Sequence, residues 1–222
     1  MVRAEENLEA NSLKGNRSFR FLCIGSLISM LGDQLTLITL PWLALFLSPE
    51  PWVVGSLMAV MALPMSVFML FGGAIVDRYS AKFVLLISKV VNTFLMILLA
   101  VLLYSETLTL PLLYGIVLLI GLASAFAIPA GSALLPQIVK PKALQVANSI
   151  GMTLRSMTTL IGPLLAALLL GLELMDLSAE NQKSQKLNLV LVFFLDGMSF
   201  AISAFLLKFI PIPNLERRPG QS

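Results

Sequence analysis

Six long stretches of apolar residues fill most of the 222-residue chain, and they constrain its fold more than any other feature. A helix needs about 20 apolar residues to cross the hydrocarbon core of a bilayer. Charged residues make up 12% of the chain, whereas soluble domains contain about 25%. The stretches predict membrane spans at Phe19–Phe46, Val53–Val76, Phe83–Tyr104, Leu110–Ile128, Ala147–Leu170 and Leu187–Ile210.

The length and continuity of these stretches also predict their secondary structure. Lipid offers backbone groups no hydrogen-bond partners, so a spanning segment is a helix or a strand of a closed barrel. Barrel strands alternate polar and apolar residues over about ten positions, and these stretches are longer and continuously apolar. The sequence therefore predicts an all-α integral membrane protein with six transmembrane helices. We expect residues 1–18 to form a cytoplasmic tail, residues 19–210 the membrane domain, and residues 211–222 a second cytoplasmic tail.

Lysine and arginine predict the orientation, because these residues are retained on the cytoplasmic side of membrane proteins. With the N-terminus inside, eleven of the 15 fall on cytoplasmic segments and two, Lys183 and Lys186, fall outside. This split predicts a multi-pass protein of the cell (inner) membrane with both termini in the cytoplasm. Of the two basic residues within spans, Lys89 and Arg155, we expect Lys89 to turn its amine back to the cytoplasmic interface. No run of basic residues suggests nucleic acid as a partner.

The reactive side chains are few. The chain has no histidine and one cysteine, Cys23, so neither an intramolecular disulfide nor a cysteine-based metal site is predicted. No nucleotide-binding, metallopeptidase or serine-hydrolase motif occurs, so we predict no cofactor and no enzymatic activity. A proton carried through this protein must travel on carboxylates or water.

The connectors between spans are mostly short, which predicts antiparallel neighbouring helices. Residues 47–52 and 105–109 lie outside, and residues 77–82 lie inside. Pro129–Val146 contains several prolines and is expected to break into a turn with an interfacial helix. Residues 171–186 are expected to form a polar external loop.

The inside connector carries a recognisable pattern. Gly73, Asp77, Arg78 and Lys82 match the G-x-x-x-D-R-x-G-R-[RK] loop between helices 2 and 3 of the major facilitator superfamily. Ser80 and Ala81 replace the later glycine and arginine of that pattern. Further markers resemble the branch that contains macrolide-efflux and enterobactin-export proteins: residues 29–34, Pro41-Trp42, residues 127–136, Gly162-Pro163, Asp196 and Ser199-Phe200.

The resemblance implies a fold and a function. Its members build twelve helices from two halves, each a 3+3 inverted-repeat bundle, with the substrate site between the halves. This chain resembles the N-terminal half, so it is expected to be a truncated product or to associate with a second half or a second copy. The implied activity is secondary transport, namely proton-coupled antiport and efflux of drugs or other amphipathic small molecules. The alternatives are a non-transporting membrane protein or subunit, and a transporter of lysophospholipids.

Several polar residues within the spans are candidates for the coupling site or cavity. Ser26, Ser29, Asp33 and Thr36 follow i, i+3, i+7 and i+10, which places them on one helix face. Asp33 is either a proton-carrying carboxylate or a buried residue that organises packing, because a charge at mid-membrane is costly. The resemblance adds Gln34 to these candidates.

Two further charged residues complete the candidate set. Arg155 is expected to pair with Asp33 or Asp196, since an ion pair lowers the cost of each buried charge. Asp196 is expected to be mainly structural. The resemblance implies a gating role for Gly73, Asp77, Arg78 and Lys82, and a close-packing role for Gly162 and Pro163. Thr158, Ala166 and Ala167 depart from the antiporter pattern of that fifth helix.

Overall fold

The computed structural model describes Leu13, residues 15–170 and residues 182–211, apart from the side chains of Asp77, Gln182 and Lys183. In these ranges the secondary structure is helical throughout, with no strand. All six long helices are apolar enough to cross a membrane. Their bounds are α1 Arg17–Leu47, α2 Pro51–Arg78, α3 Ala81–Tyr104, α4 Leu110–Ile138, α5 Leu144–Leu170 and α6 Gln182–Lys208. The predicted all-α, six-helix membrane fold is confirmed.

The prolines of α4 do not end it, so the predicted break over Pro129–Val146 is wrong. The helix continues through Pro129 and Pro136 to Ile138, and only a short 3-10 turn, Pro141–Ala143, separates it from α5. Membrane helices tolerate proline where neighbouring helices cover the freed backbone. Here Gly72 of α2 provides that cover, because its missing side chain leaves room for the Pro129 ring and the Ala125 carbonyl.

The inside connector is also shorter than residues 77–82. Helix α2 extends to Arg78 and α3 begins at Ala81, so only Tyr79 and Ser80 lie between them. The Ser80 hydroxyl accepts a hydrogen bond from the Phe83 backbone N–H at 3.2 Å, which caps the first turn of α3. The predicted external loop at residues 171–186 falls largely outside the described residues.

The helix packing repeats itself after three helices. The closest pairs are α2 with α4, α3 with α6, α1 with α6, α3 with α4, and α1 with α5. Exchanging α1–α3 with α4–α6 returns the same set of pairs. An odd number of spans per unit starts the second unit on the opposite side of the membrane, so this packing is that of a 3+3 inverted repeat.

Glycines allow the closest of these crossings. A methyl group on Gly121 of α4 would overlap the Met61 carbonyl oxygen of α2, and one on Gly162 of α5 would overlap the Gln34 side chain of α1. Small residues at helix crossings allow the backbones to approach in membrane proteins. Gly162 lies at the close crossing of α1 and α5, whereas Pro163 is exposed.

Helices α2 and α5, which correspond under the three-helix exchange, are the least covered. Only 11% of the most apolar window of α2 and 22% of that of α5 are buried. Large apolar side chains project from both, including Leu63 and Leu70 in α2 and Leu160 and Leu168 in α5. These two faces are available to lipid or to a further protein surface.

Candidate functional site

Helix α1 divides its polar residues between a buried face and an exposed edge. Ser29 and Thr36 are buried, whereas Asp33, the seventeenth of the 31 residues of α1, is exposed. At about 100° per residue, Asp33 lies roughly 40° from Ser29 and 60° from Thr36 around the helix. The stripe predicted from the sequence is therefore split: its hydroxyls face the bundle interior, and its carboxylate lies at the rim.

Asp196 of α6 occupies the buried side of this boundary and is fully enclosed. Thr36 donates to its Oδ2 at 2.5 Å, and Ser199 donates to its Oδ1 at 3.1 Å. Gly32 of α1 lies directly against the carboxylate, and a side chain there would overlap both Asp196 and Ser199. A buried polar group needs hydrogen bonds, and two hydroxyls supply them, in agreement with a structural role for Asp196.

The orientation predicted for the Lys89 side chain of α3 is wrong. Its Nζ donates to the Ser29 hydroxyl of α1 at 2.7 Å and lies 4.8 Å from the centre of the Phe200 ring of α6. Ser29 is the thirteenth residue of α1, whereas Lys89 is the ninth of α3. The amine thus points deeper into the bundle and not back to the cytoplasmic interface.

The sequence does contain a signal for this position. Lys89, Asn92 and Met96 recur at i, i+3 and i+7 in α3, which places a cation and an amide on one helix face. Asn92 and Met96 are both buried, and the Asn92 Oδ1 has no hydrogen-bond partner. A lysine that shares a face with buried residues is directed to the core by its own helix.

Arg155 of α5 does not form the predicted ion pair. In the described part of the chain, the only cation–carboxylate contact within 4.0 Å joins Lys186 to Glu106 at the other end of the bundle. Arg155 is exposed on α5, one of the two least covered helices. It nevertheless lies within Coulombic range of Asp33, and so does Lys89.

The other candidates have the following positions. Gln34 places its aliphatic carbons against Gly162, so it packs at the crossing of α1 and α5. Where α2 ends, Gly73 and Arg78 are exposed, and the side chain of Asp77 is outside the described part of the structure. Lys82 donates to the backbone carbonyls of Lys208 and Ile210 at 3.3 and 2.5 Å, where α6 ends.

The arrangement brings together four charged groups from four helices: Asp33, Lys89, Arg155 and Asp196. Asp33 and Arg155 are exposed, whereas Asp196 is buried and Lys89 is half-buried. A carboxylate can accept and release a proton where water reaches it. Among the described residues, no three histidine, cysteine, aspartate or glutamate side chains are grouped as metal ligands would be.

Comparison with known proteins adds a family. A family model described as Major Facilitator Superfamily matches residues 22–221, which covers all six helices apart from the first turn of α1. No curated protein sequence matches the chain.

Proposed function

The chain belongs to the Major Facilitator Superfamily, a family of membrane transporters, and from this premise we propose that it is a proton-coupled exporter of amphipathic small molecules. Six apolar helices and the family together make it a multi-pass membrane protein. The proposal concerns the coupling ion, the direction and the class of substrate.

The observation that carries the proposal is the position of Asp33. It lies one residue past the middle of α1, and it is exposed while Ser29 and Thr36 on the same helix are buried. The chain has no histidine, so a carboxylate is the side chain best suited to accept and release a proton here. Asp196 is less suited, since it is fully enclosed and its two oxygens already accept hydroxyl hydrogens.

The surface near Arg155 supports an amphipathic substrate. Met152 lies one turn before Arg155 on the same helix and is 72% exposed. A site with a carboxylate and a guanidinium beside a flexible apolar side chain suits a molecule with a polar end and an apolar body. We take the transported class to be drug-like amphipathic compounds moved outward in exchange for protons.

Transport by alternating access needs two bundles that move against each other. We propose that the exposed apolar faces of α2 and α5 pack against a second six-helix half or a second copy of this chain. We also propose that Gly73, Asp77 and Arg78 act at a gate on the cytoplasmic side. The protein would then lie in the cell membrane with both of its termini in the cytoplasm. Exposure of Gly73 and Arg78 leaves them available for such a contact.

The test is transport by purified protein in proteoliposomes that contain a pH-sensitive dye. Ethidium and erythromycin serve as amphipathic probes, and a labelled lysophospholipid serves as a lipid probe. We expect an imposed proton gradient to drive ethidium or erythromycin, with proton movement that depends on the probe. Asp33→Asn should abolish the gradient-driven flux, and Glu106→Gln, which removes an exposed acid near the end of the bundle, should leave it unchanged.

Each alternative gives its own result. If only the lysophospholipid moved, the substrates would be lipids and not drug-like compounds. Flux of any probe without proton movement would refute proton coupling. A wild-type protein that moves none of the probes would favour a non-transporting subunit. Aggregated Asp33→Asn protein would assign Asp33 to packing.

A further inference from the structure

Lys89 lies between the two mid-membrane aspartates. Its amine contacts Ser29 in α1 and the Phe200 ring in α6. Ser29 precedes Asp33 by four residues, and Phe200 follows Asp196 by four residues. Residues four apart are neighbours on one helix face. The amine therefore touches the helical turn next to each acid.

In this conformation the amine pairs with neither acid. No carboxylate of the described residues lies within 4.0 Å of Lys89, yet both Asp33 and Asp196 lie within its Coulombic range. A lysine carries its charge on a flexible four-carbon stem with three donors. Rotation about the bonds of such a stem can move the amine between neighbouring partners.

The charge balance at this site makes the two positions unequal. Four charged groups face it, Asp33 on α1, Lys89 on α3, Arg155 on α5 and Asp196 on α6, and α4 contributes none along its whole length. Arg155 is exposed and within range of Asp33, so Lys89 is the central cation for two carboxylates. With both acids ionised, the two cations balance the two carboxylates. A proton on Asp33 leaves Asp196 as the one remaining carboxylate of the four groups, and an uncompensated charge is costly inside a membrane.

We propose that Lys89 is the switch cation of the coupling site, shared between Asp33 and Asp196. While Asp33 is ionised, the amine stays on its side, held by Ser29. When a proton converts Asp33 to the neutral acid, the attraction to Asp33 is lost and the ammonium turns to Asp196. The inference rests on the proposed function and deepens it by naming the group that senses the proton.

The exchange also changes the links between helices. Gly197 of α6 lies tightly against Met96 and Ile97 of α3, so α3 and α6 are held together whatever the amine does. Near Lys89, two polar contacts join α1 to α3: the Lys89–Ser29 hydrogen bond and the contact of the Thr36 hydroxyl with the Met96 sulfur. Withdrawal of the amine toward α6 removes the stronger of these two links. Proton uptake at Asp33 thus weakens the polar link between α1 and α3, while the Thr36–Asp196 hydrogen bond still joins α1 to α6.

The first test measures the sharing directly and does not require transport. Thermal unfolding of detergent-purified protein is followed for Lys89→Gln, Asp33→Asn, Asp196→Asn and the two double variants that contain Lys89→Gln. Groups that interact give non-additive changes, and we expect deviations of about 2–4 °C in both cycles. Additivity in the Asp33 cycle, or in the Asp196 cycle, would overturn a shared amine. If Asp196→Asn does not fold, the double variant Thr36→Val with Ser199→Ala replaces it. This double variant removes both hydroxyl donors from the Asp196 carboxylate, so the carboxylate depends more on Lys89 and the effect of Lys89→Gln should increase. An unchanged effect would overturn the sharing.

The second test separates the switch from the proposed function. In proteoliposomes, Lys89→Gln should still exchange ethidium across the membrane at equal pH but lose at least tenfold in accumulation driven by a proton gradient. Lys89→Arg, which retains the charge, should keep part of the accumulation, and the matched lysine variant Lys186→Gln should equal wild type. Full accumulation by Lys89→Gln would overturn the role of Lys89 and leave the proposed function intact. A wild type without proton-driven accumulation would refute the proposed function and the coupling role with it.

Discussion

Thr36 of α1 and Asp196 of α6 are joined by a buried hydrogen bond of 2.5 Å between residues 160 positions apart in sequence. The contact ties the first helix of the bundle to the last. It also satisfies one oxygen of a carboxylate that has no access to solvent. Hydrogen bonds to a charged group contribute more than neutral ones, about 1.5–3 kcal/mol.

Replacing Thr36 with valine should destabilise the protein by about 1.5–3 kcal/mol, because the shape is kept while the donor to Asp196 is lost. Thr39, one turn further along α1, is the matched control. It is equally buried, but its hydroxyl has no hydrogen-bond partner. Thr39→Val should therefore be neutral or stabilising. Equal losses for the two variants in reversible denaturant unfolding would show that the bond to Asp196 does not stabilise the fold.

Gly32 should tolerate no side chain. A methyl group there would overlap the Asp196 carboxylate and the Ser199 hydroxyl, and such overpacking costs about 1–3 kcal/mol. We expect Gly32→Ala to lower the unfolding midpoint. Gly73 is the control, since no atom lies within 4 Å of a side chain added there. A Gly32→Ala protein as stable as Gly73→Ala would contradict the close approach of α1 to α6.

The fold could be predicted from the sequence because membrane spans depend on a coarse property, the length of apolar segments. The limits of α4 could not, because Pro129 ends a helix only if nothing covers its freed carbonyl. That cover comes from Gly72 in another helix. Local proline chemistry was outweighed by a tertiary contact that leaves no trace within the segment itself.

The sequence predicted several polar residues of the candidate site but not their arrangement. The spacing of Ser29, Asp33 and Thr36 predicted one polar helix face, but angular differences of tens of degrees decide which side chains reach the interior. The pairing of Arg155 with an acid assumed that a charge within a span is buried. Arg155 is exposed, and the lysine that reaches the interior is Lys89. Such a distinction needs the positions of neighbouring helices.

The ion pair between Glu106 and Lys186 should respond to pH. Lys186 donates to the Glu106 carboxylate at 2.7 Å, and this bond with the lysine charge holds the pKa of Glu106 below its ordinary value of 4.5. A lowered pKa in the folded state stabilises the protein above the unfolded value and is lost as the pH falls through the folded one. Wild type should therefore exceed Glu106→Gln slightly in thermal stability at pH 7, and the difference should disappear in acid below pH 4.5. Because both groups reach solvent, raising the salt concentration should also reduce it. A difference that is the same at both pH values would contradict the ion pair.

The orientation in the membrane should be the one that the basic residues predict. Eleven lysines and arginines fall on one side of the six helices and two on the other, and positive residues are retained in the cytoplasm. Glu106 lies in the connector between α3 and α4, and Lys142 lies in the short turn between α4 and α5, at opposite ends of the bundle. Both are exposed, so a cysteine at either position is open to a reagent.

With Cys23, the only native cysteine, replaced by alanine, an impermeant maleimide added to intact cells should label Glu106→Cys. Lys142→Cys should react only after the membrane is opened, which makes it the control for leakage. Labelling of Lys142→Cys alone in intact cells would reverse the orientation, and it would place the Arg78 and Lys82 end of the bundle outside the cell.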